Sequence, residues 1–287
     1  MIVIEDYAKT DRLLTLCDEI NMPGEVTEQI LRHVKNADFT PAGAYFKDLF
    51  SMETAPASQK AIHEYFGGRN NGIDELAIYL MAALHTGENY RRAGIDNAIY
   101  VNTMRMFTRF ANEHLASYGA YGFDRGAWTY RILASVIFRL NQLEFEMFTL
   151  RDDVEGYGSR GDPVISVHIP SDAILSRREL DSTYTMAKRF LSEYFGDFAY
   201  KYIYCASWLL SPVLQDLLKP DSRILEFQSD YKIINYIADN DSYMVWVYKR
   251  KYEDLKSLPE TTTLAKNIKN HLLGGGKIGI GYGILNL

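Results

Sequence analysis

Cysteine is scarce in this chain: among 287 residues only Cys17 and Cys205 are cysteines. They stand far apart with no CxxC spacing, which excludes a disulfide framework and a thiolate metal site. The histidines His33, His63, His85, His114 and His271 show no HExxH or related spacing, so no metal site is expected. Basic excess is missing as well. A net charge of −6 disfavours nucleic acid as the main partner, because phosphate binding wants a positive surface. The one dense basic run, Lys249-Arg250-Lys251, is short and reads as a solvated strand end. No stretch approaches the ~18 uninterrupted apolar residues of a membrane span. The start, Met1-Ile2-Val3-Ile4-Glu5-Asp6, lacks the cationic opening and apolar run of a signal peptide. These absences point to a cytoplasmic protein without a nucleic-acid or membrane partner.

What is present is a core. The apolar share is 47% and the charged share 24%, the composition of a globular protein. Such a length suits one large domain or two moderate ones. The first part of the chain repeats a helical pattern. Leu13, Leu16, Cys17 and Ile20 fall at i, i+3, i+4 and i+7, and Val26, Ile30 and Val34 follow at four-residue spacing after Pro23-Gly24. Ile62, Tyr65 and Phe66 run into Gly67-Gly68, a helix stop. Asp96 to Leu115 reads as one long helix with Ile99, Thr103, Met106 and Phe110 on its stripe. The glycines within Ser117-Tyr-Gly-Ala-Tyr-Gly-Phe123 mark a boundary, giving a helical domain 1–122 and a second domain 123–287.

A further helix is expected from Asp124 to Leu140, with Trp128, Ile132, Val136 and Leu140 inward. At Gln142 the period changes to two: Leu143, Phe145 and Met147 alternate with Glu144 and Glu146, a strand with one apolar and one polar face. Strands and helices then alternate. Val164 to Ile169 reads as a strand, Leu175 to Phe195 as a helix, and Tyr202 to Leu210 as a strand. Ser211-Pro212 opens a short helix through Leu218. Ile224–Ile237 and Tyr243–Tyr248 flank the turn-rich Asp239-Asn240-Asp241-Ser242 as a hairpin. A last helix, Thr263 to Leu273, ends at Gly274-Gly275-Gly276 before a closing strand. The fold class expected is α+β: an all-helical N-terminal domain followed by a mixed sheet flanked by helices.

Four phrases carry a resemblance: Arg139-Leu-Asn-Gln-Leu-Glu-Phe-Glu146, Val167-His-Ile-Pro170, Cys205-Ala-Ser-Trp-Leu-Leu210 and Asp221-Ser-Arg-Ile-Leu-Glu-Phe227. The chain resembles a group of bacterial N-acyltransferases with a helical N-terminal domain and a GNAT-like C-terminal domain. In that group the phrases read closer to RLGRLxFE, HIP, CxSWLL and DSNIxxF. Asn141 here replaces the glycine, Gln142 the arginine, and Arg223 the asparagine. The resemblance implies acyl transfer from a coenzyme A thioester, as co-substrate, to a small amine, with the donor held between two splayed parallel strands. GNAT enzymes bind the pyrophosphate with a Q/R-x-x-G-x-G/A turn; the corresponding Ser171-Asp-Ala-Ile-Leu-Ser-Arg-Arg178 has no glycine. Many also use a tyrosine early in the next helix as general acid, and Pro212 to Leu218 has none. A non-catalytic binding module on the same fold is therefore the alternative.

Within this frame the candidate site lies beyond the ends of Val164–Ile169 and Tyr202–Leu210, following the rule that open α/β sheets bind ligands past strand carboxyl ends. His168 is the candidate general base, since its ordinary pKa lies near neutrality; a satisfied core histidine is the alternative. Glu144 and Glu146 share the polar face of the preceding strand, and one of them could orient His168 or deprotonate the amine; Glu144 is the second catalytic candidate. Solvated carboxylates are the other reading. Ile169, Pro170, Cys205, Ser207 and Trp208 are the candidate thioester-binding residues, Cys205 and Ser207 as the small groups of a slot for the pantetheine arm. Cys205 as a nucleophile is disfavoured, because nothing near it in sequence lowers its pKa. Gly156-Tyr-Gly158-Ser-Arg-Gly161 matches GxGxxG but precedes a strand, so it reads as a loop between strands. The glycines of Gly279-Ile-Gly281-Tyr-Gly283 bare one face of the last strand, either for tight packing or for a ligand.

Overall fold

The structure, a computed structural model, describes residues 2–286. It divides into two compact units, the first ending at Arg139 and the second beginning at Leu140.

The first unit is helical: α1 (Thr10–Glu19), α2 (Gly24–Asn36), α3 (Thr40–Phe46), α4 (Ala55–Phe66), α5 (Ile73–Arg92), α6 (Asn97–Met104), α7 (Met106–Tyr118) and α8 (Gly126–Leu133). The stripes expected of α1 and α2 are buried: Leu13, Leu16, Cys17, Val26, Ile30 and Val34 all face inward. The centre of this unit is α5, where every residue from Ile73 to Gly87 except Asp74 is buried. An apolar helix enclosed on all sides has no polar face and so no amphipathic period to read. Its buried carboxylate, Glu75, accepts hydrogen bonds from the Tyr79 hydroxyl at 2.8 Å and pairs with His63 Nδ1 at 2.8 Å, which offsets the cost of burying the charge. The expected helix Asp96–Leu115 is two: Asp96 caps α6 by accepting from Ala98 N, and Arg105 separates it from α7.

The strands are β1 (Ile137–Leu140), β2 (Leu143–Thr149), β3 (Pro163–His168), β4 (Ile203–Ser207), β5 (Tyr231–Ile237) and β6 (Ile280–Leu285), in the sheet order β1-β2-β3-β4-β6-β5. Between them come α9 (Arg177–Tyr194), α10 (Leu214–Leu217), α11 (Arg223–Ser229), α12 (Tyr243–Tyr248) and α13 (Thr263–Leu273). β2 runs antiparallel to β3, β3 parallel to β4, and β6 antiparallel to both β4 and β5. The helix α9 buries Leu180, Thr183, Tyr184, Ala187, Phe190 and Leu191, as its 3.6-residue period requires.

Three expectations fail here for identifiable reasons. The helix foreseen from Asp124 to Leu140 stops at Leu133; Ser135 takes a left-handed φ of 57°, and the chain enters β1. The four-residue spacing of Ile132, Val136 and Leu140 suits a buried helix, but Val136-Ile137-Phe138 also suits a pleated strand, and β1 is buried on both faces. The segment from Ile224 begins as α11, because Ser222 Oγ accepts from Ile224 N and caps a helix ahead of the strand. The hairpin does not form: Tyr243–Tyr248 is the helix α12. Its Tyr243, Met244 and Tyr248 enter a cluster with Leu258, Ile268 and Leu272, and β5 pairs with β6 instead. Tertiary packing overrides the strand propensity of an aromatic and β-branched segment.

Two glycine-linked positions can be tested. A Cβ at Gly281 would stand 2.2 Å from the Leu210 carbonyl oxygen and 2.6 Å from its carbon, so the bare face of β6 serves close packing. Gly281→Ala should lower unfolding free energy by about 3 kcal/mol, the overpacking scale, in a urea titration. Asn141, at φ 55° between β1 and β2, fills a left-handed position that glycine or asparagine tolerates. Asn141 Nδ2 also donates to the Glu179 carbonyl at 3.3 Å and carboxylate at 3.1 Å, so Asn141→Gly should cost about 1 kcal/mol in the same titration and Asn141→Ala about 1–2 kcal/mol more.

Candidate active site

The site is built from one face of three adjacent strands in the second unit. The β2–β3 register sets Glu144 opposite His168 and Glu146 opposite Ser166. The β3–β4 register sets Ser166 beside Tyr204. Because strand side chains alternate, these five residues project from the same face. On the opposite face Ile165, Val167, Ile203 and Cys205 are buried together.

The polar face of β2 is not solvated. Glu144 and Glu146 are each 2% exposed, so both carboxylates have left water. Glu146 Oε2 lies 2.7 Å from His168 Nε2, on the diagonal between neighbouring register pairs. An ionised carboxylate can only accept, so His168 Nε2 directs a proton at Glu146. The His168 side chain is 23% exposed while that of Glu146 is 3% exposed, which gives a buried acceptor behind a reachable base. Glu144 faces His168 directly across the ladder. The expectation that one acidic residue of β2 orients His168 therefore falls on Glu146.

The parallel ladder is short. β3 and β4 pair from Ile165–Ile203 to Val167–Cys205. Beyond that point His168 pairs with Glu144 of β2, while Ala206 and Ser207 pair with Tyr282 and Gly281 of β6. The ladder they share thus ends at Val167–Cys205, an opening in the pairing at the carboxyl ends of the two strands. Ile169 and the buried Pro170 leave β3 at this opening, and Ala173 N donates to the Pro170 carbonyl in the turn that follows.

Other expected residues lie around the same opening. Cys205 is fully buried, and burial pushes its thiol pKa up, which agrees with a packing role and not a nucleophile. Ser207 Oγ accepts from Leu209 N at 3.1 Å, capping a 3₁₀ turn, Trp208–Leu210, where a continued strand was expected. Trp208 packs against the cluster formed by α12 and α13. The Ser211 hydroxyl donates to the Ile278 carbonyl and does not cap α10. At the head of α9, Ser176 supplies no side-chain cap. Arg177 is held by Asp181 at 2.8 Å and Asp230 at 2.7 Å, whereas Arg178 is exposed. Gly156 to Gly161 lies in the β2–β3 connection, as its flanking sequence requires. Among the described residues no three His, Cys, Asp or Glu side chains gather as metal ligands, and no helix is long and apolar enough to cross a membrane.

The same face also carries Ser166 and Tyr204. Parity along β3 places Ser166 on the face of His168, but only the cross-strand register brings in Tyr204.

Known proteins resemble both parts of the chain. Residues 137–285 match the GNAT-like C-terminal domain, and residues 11–134 match the N-acyltransferase N-terminal domain. No curated protein matches the chain at a significant level. Among solved structures, an acyltransferase in complex with decanoyl-CoA and teicoplanin is similar, with a TM-score of 0.80 and 20% identity over 94% of this chain and 86% of that one. An acyltransferase mutant in complex with octanoyl-CoA has a TM-score of 0.80 and 18% identity over 96% of this chain and 88% of that one. An acyltransferase with CoA and 10C-teicoplanin has a TM-score of 0.79 and 18% identity over 95% and 87%. At these identities the likeness establishes the fold. With its C-terminal match spanning more than half of its length, this chain belongs to the GNAT-like C-terminal domain family and carries that family's fold behind an N-acyltransferase N-terminal domain.

Proposed function

We propose that this protein transfers an acyl group from an acyl-coenzyme A thioester to the amine of an acceptor. The observation that carries the reading is the His168–Glu146 pair on the rim of the opening between β3 and β4. An opening between strands leaves backbone N–H and C=O groups directed into it, a match for the amides of a pantetheine arm. Ile169 and Pro170 would line one wall, Ser207 and Trp208 the other, with Cys205 packed beneath. The pyrophosphate would meet the backbone N–H groups of the first turn of α9 and the exposed Arg178, which together replace the missing glycine turn.

The chemistry needs a base. An amine attacks the thioester carbonyl and loses a proton as the tetrahedral intermediate forms. His168 takes that proton, while Glu146 accepts from Nε2 and stabilises the imidazolium. Collapse breaks the carbon–sulfur bond, and the thiolate of coenzyme A leaves, to be reprotonated from His168. Proximity and the base supply the rate without a covalent intermediate. Glu144 is buried opposite His168 on the same face. The family neighbours with teicoplanin suggest an acceptor larger than a simple amine, while the requirement for a deprotonated nitrogen is the same.

The competing reading is a module that binds a thioester without turning it over, and two measurements separate them. Differential scanning fluorimetry with acetyl-, octanoyl- and decanoyl-coenzyme A should raise Tm for at least one, since a ligand at about 100 times its Kd stabilises by about 2.7 kcal/mol. No shift with any of them at millimolar concentration overturns thioester binding. His168→Ala should reduce release of free coenzyme A by about 10²-fold or more, the scale of losing a general base, when assayed well below the variant's Tm, which falls because buried Glu146 loses a partner. A variant that binds the thioester, unfolds earlier and keeps wild-type turnover would place His168 in the core and not in the reaction.

A further inference from the structure

Asn141 and Gln142 form the turn between β1 and β2, and their side chains reach the segment that leads β3 into α9. Gln142 Oε1 accepts from Ile174 N at 2.9 Å, in the middle of that segment. Gln142 Nε2 donates to Glu179 Oε2 at 3.3 Å, in the first turn of α9. Asn141 Nδ2 donates to the same carboxylate at 3.1 Å. The backbone N–H of Gln142 meets the Thr183 hydroxyl at 3.3 Å, and that hydroxyl donates to the Glu179 carbonyl at 2.7 Å. One turn thus ties the approach to α9 and its first two turns together.

We infer that Gln142 is a positioning residue for the thioester donor, bracing segment 171–176 so that the head of α9 is set for the pyrophosphate before it arrives. This rests on the acyl-transfer reading and on the place it gives the phosphates. The segment holds no glycine, and Ser176 gives α9 no side-chain cap. Packing does not hold its midpoint either, because the Ile174 side chain is 51% exposed. The backbone bond from Ile174 to Gln142 is the anchor there. A primary amide suits the task, since it accepts from the segment and donates to the helix in one plane. From the other side Asp230 holds Arg177 at 2.7 Å, so the helix head is gripped from two directions. A loop ordered in advance gives up less freedom when a ligand binds.

Two readouts test the brace and its consequence. Amide hydrogen exchange at Ile174, followed by NMR, should quicken about 10-fold in Gln142→Ala. The consequence is read by comparing octanoyl-coenzyme A with S-octanoyl-pantetheine, which lacks the nucleotide and its phosphates. Gln142→Ala should raise KM for the coenzyme A ester about 5- to 10-fold at nearly constant kcat, the scale of one or two hydrogen bonds. KM for the pantetheine ester should stay at the wild-type value, whereas a general loss of structure would move both esters alike. The double variant Gln142→Glu with Glu179→Gln exchanges acceptor and donor along the same line, and should restore Ile174 protection and KM together. Unaltered exchange at Ile174, or an equal change for the two esters, overturns the inference. If wild type turns over neither ester, the same comparison is made on Kd by calorimetry. A wild type that binds neither overturns the acyl-transfer reading and this inference with it. A wild type that binds both, with Gln142→Ala matching it for each, overturns the inference alone.

Discussion

A parallel ladder of three residue pairs, Ile165–Ile203 to Val167–Cys205, is the constraint on which the candidate site depends. Antiparallel ladders flank it and run further: β2 stays with β3 as far as His168, and β6 stays with β4 as far as Ser207. Each inner strand keeps its outer antiparallel partner past the last shared pair. Backbone groups at such an opening in a ladder are met by water, by another part of the chain or by a ligand.

The second constraint is electrostatic. Two carboxylates on β2, Glu144 and Glu146, are withdrawn from water, and an unpaired charge in that position would cost several kcal/mol. The 2.7 Å contact from Glu146 to His168 is one compensation. In a site of low effective dielectric the contact is stronger than the same pair on the surface. Positioning and charge stabilisation are thus one interaction here, and the same burial that makes it costly makes it directional.

Around this face the remaining architecture is close packing. Gly281 and Gly283 let β6 lie against Leu210 and Tyr231 at distances no side chain would permit. The helical excursion of α12 and α13 closes over Trp208, Val213 and Leu217, beside the end of β4. Arg177, held by Asp181 and Asp230, fixes the start of α9 while Arg178 faces solvent. The strand ends are thus bordered by close packing and by the ion pairs of Arg177.

Much of this was legible in the residues alone. The stripes of α1, α2 and α9, the alternation of β2, and the bare face of β6 depend only on local period, and a side chain's face follows from backbone geometry. Cys205 as a packed thiol and Gly156–Gly161 as a connection were also readable, because neighbouring residues contradicted a reactive role. The helix α5 was not, since a segment buried on every side carries no period. The hairpin foreseen at Tyr243–Tyr248 failed because aromatic and β-branched residues suit either state until packing chooses. The site divides in the same way: parity put His168, Glu144 and Glu146 among the candidates from local pattern. That Glu146 is the residue meeting His168, and that Ser166 and Tyr204 stand in line with it, was decided by the pairing register of three strands far apart in the chain. Register is a nonlocal choice, made by burial of the whole sheet, and no single segment contains it.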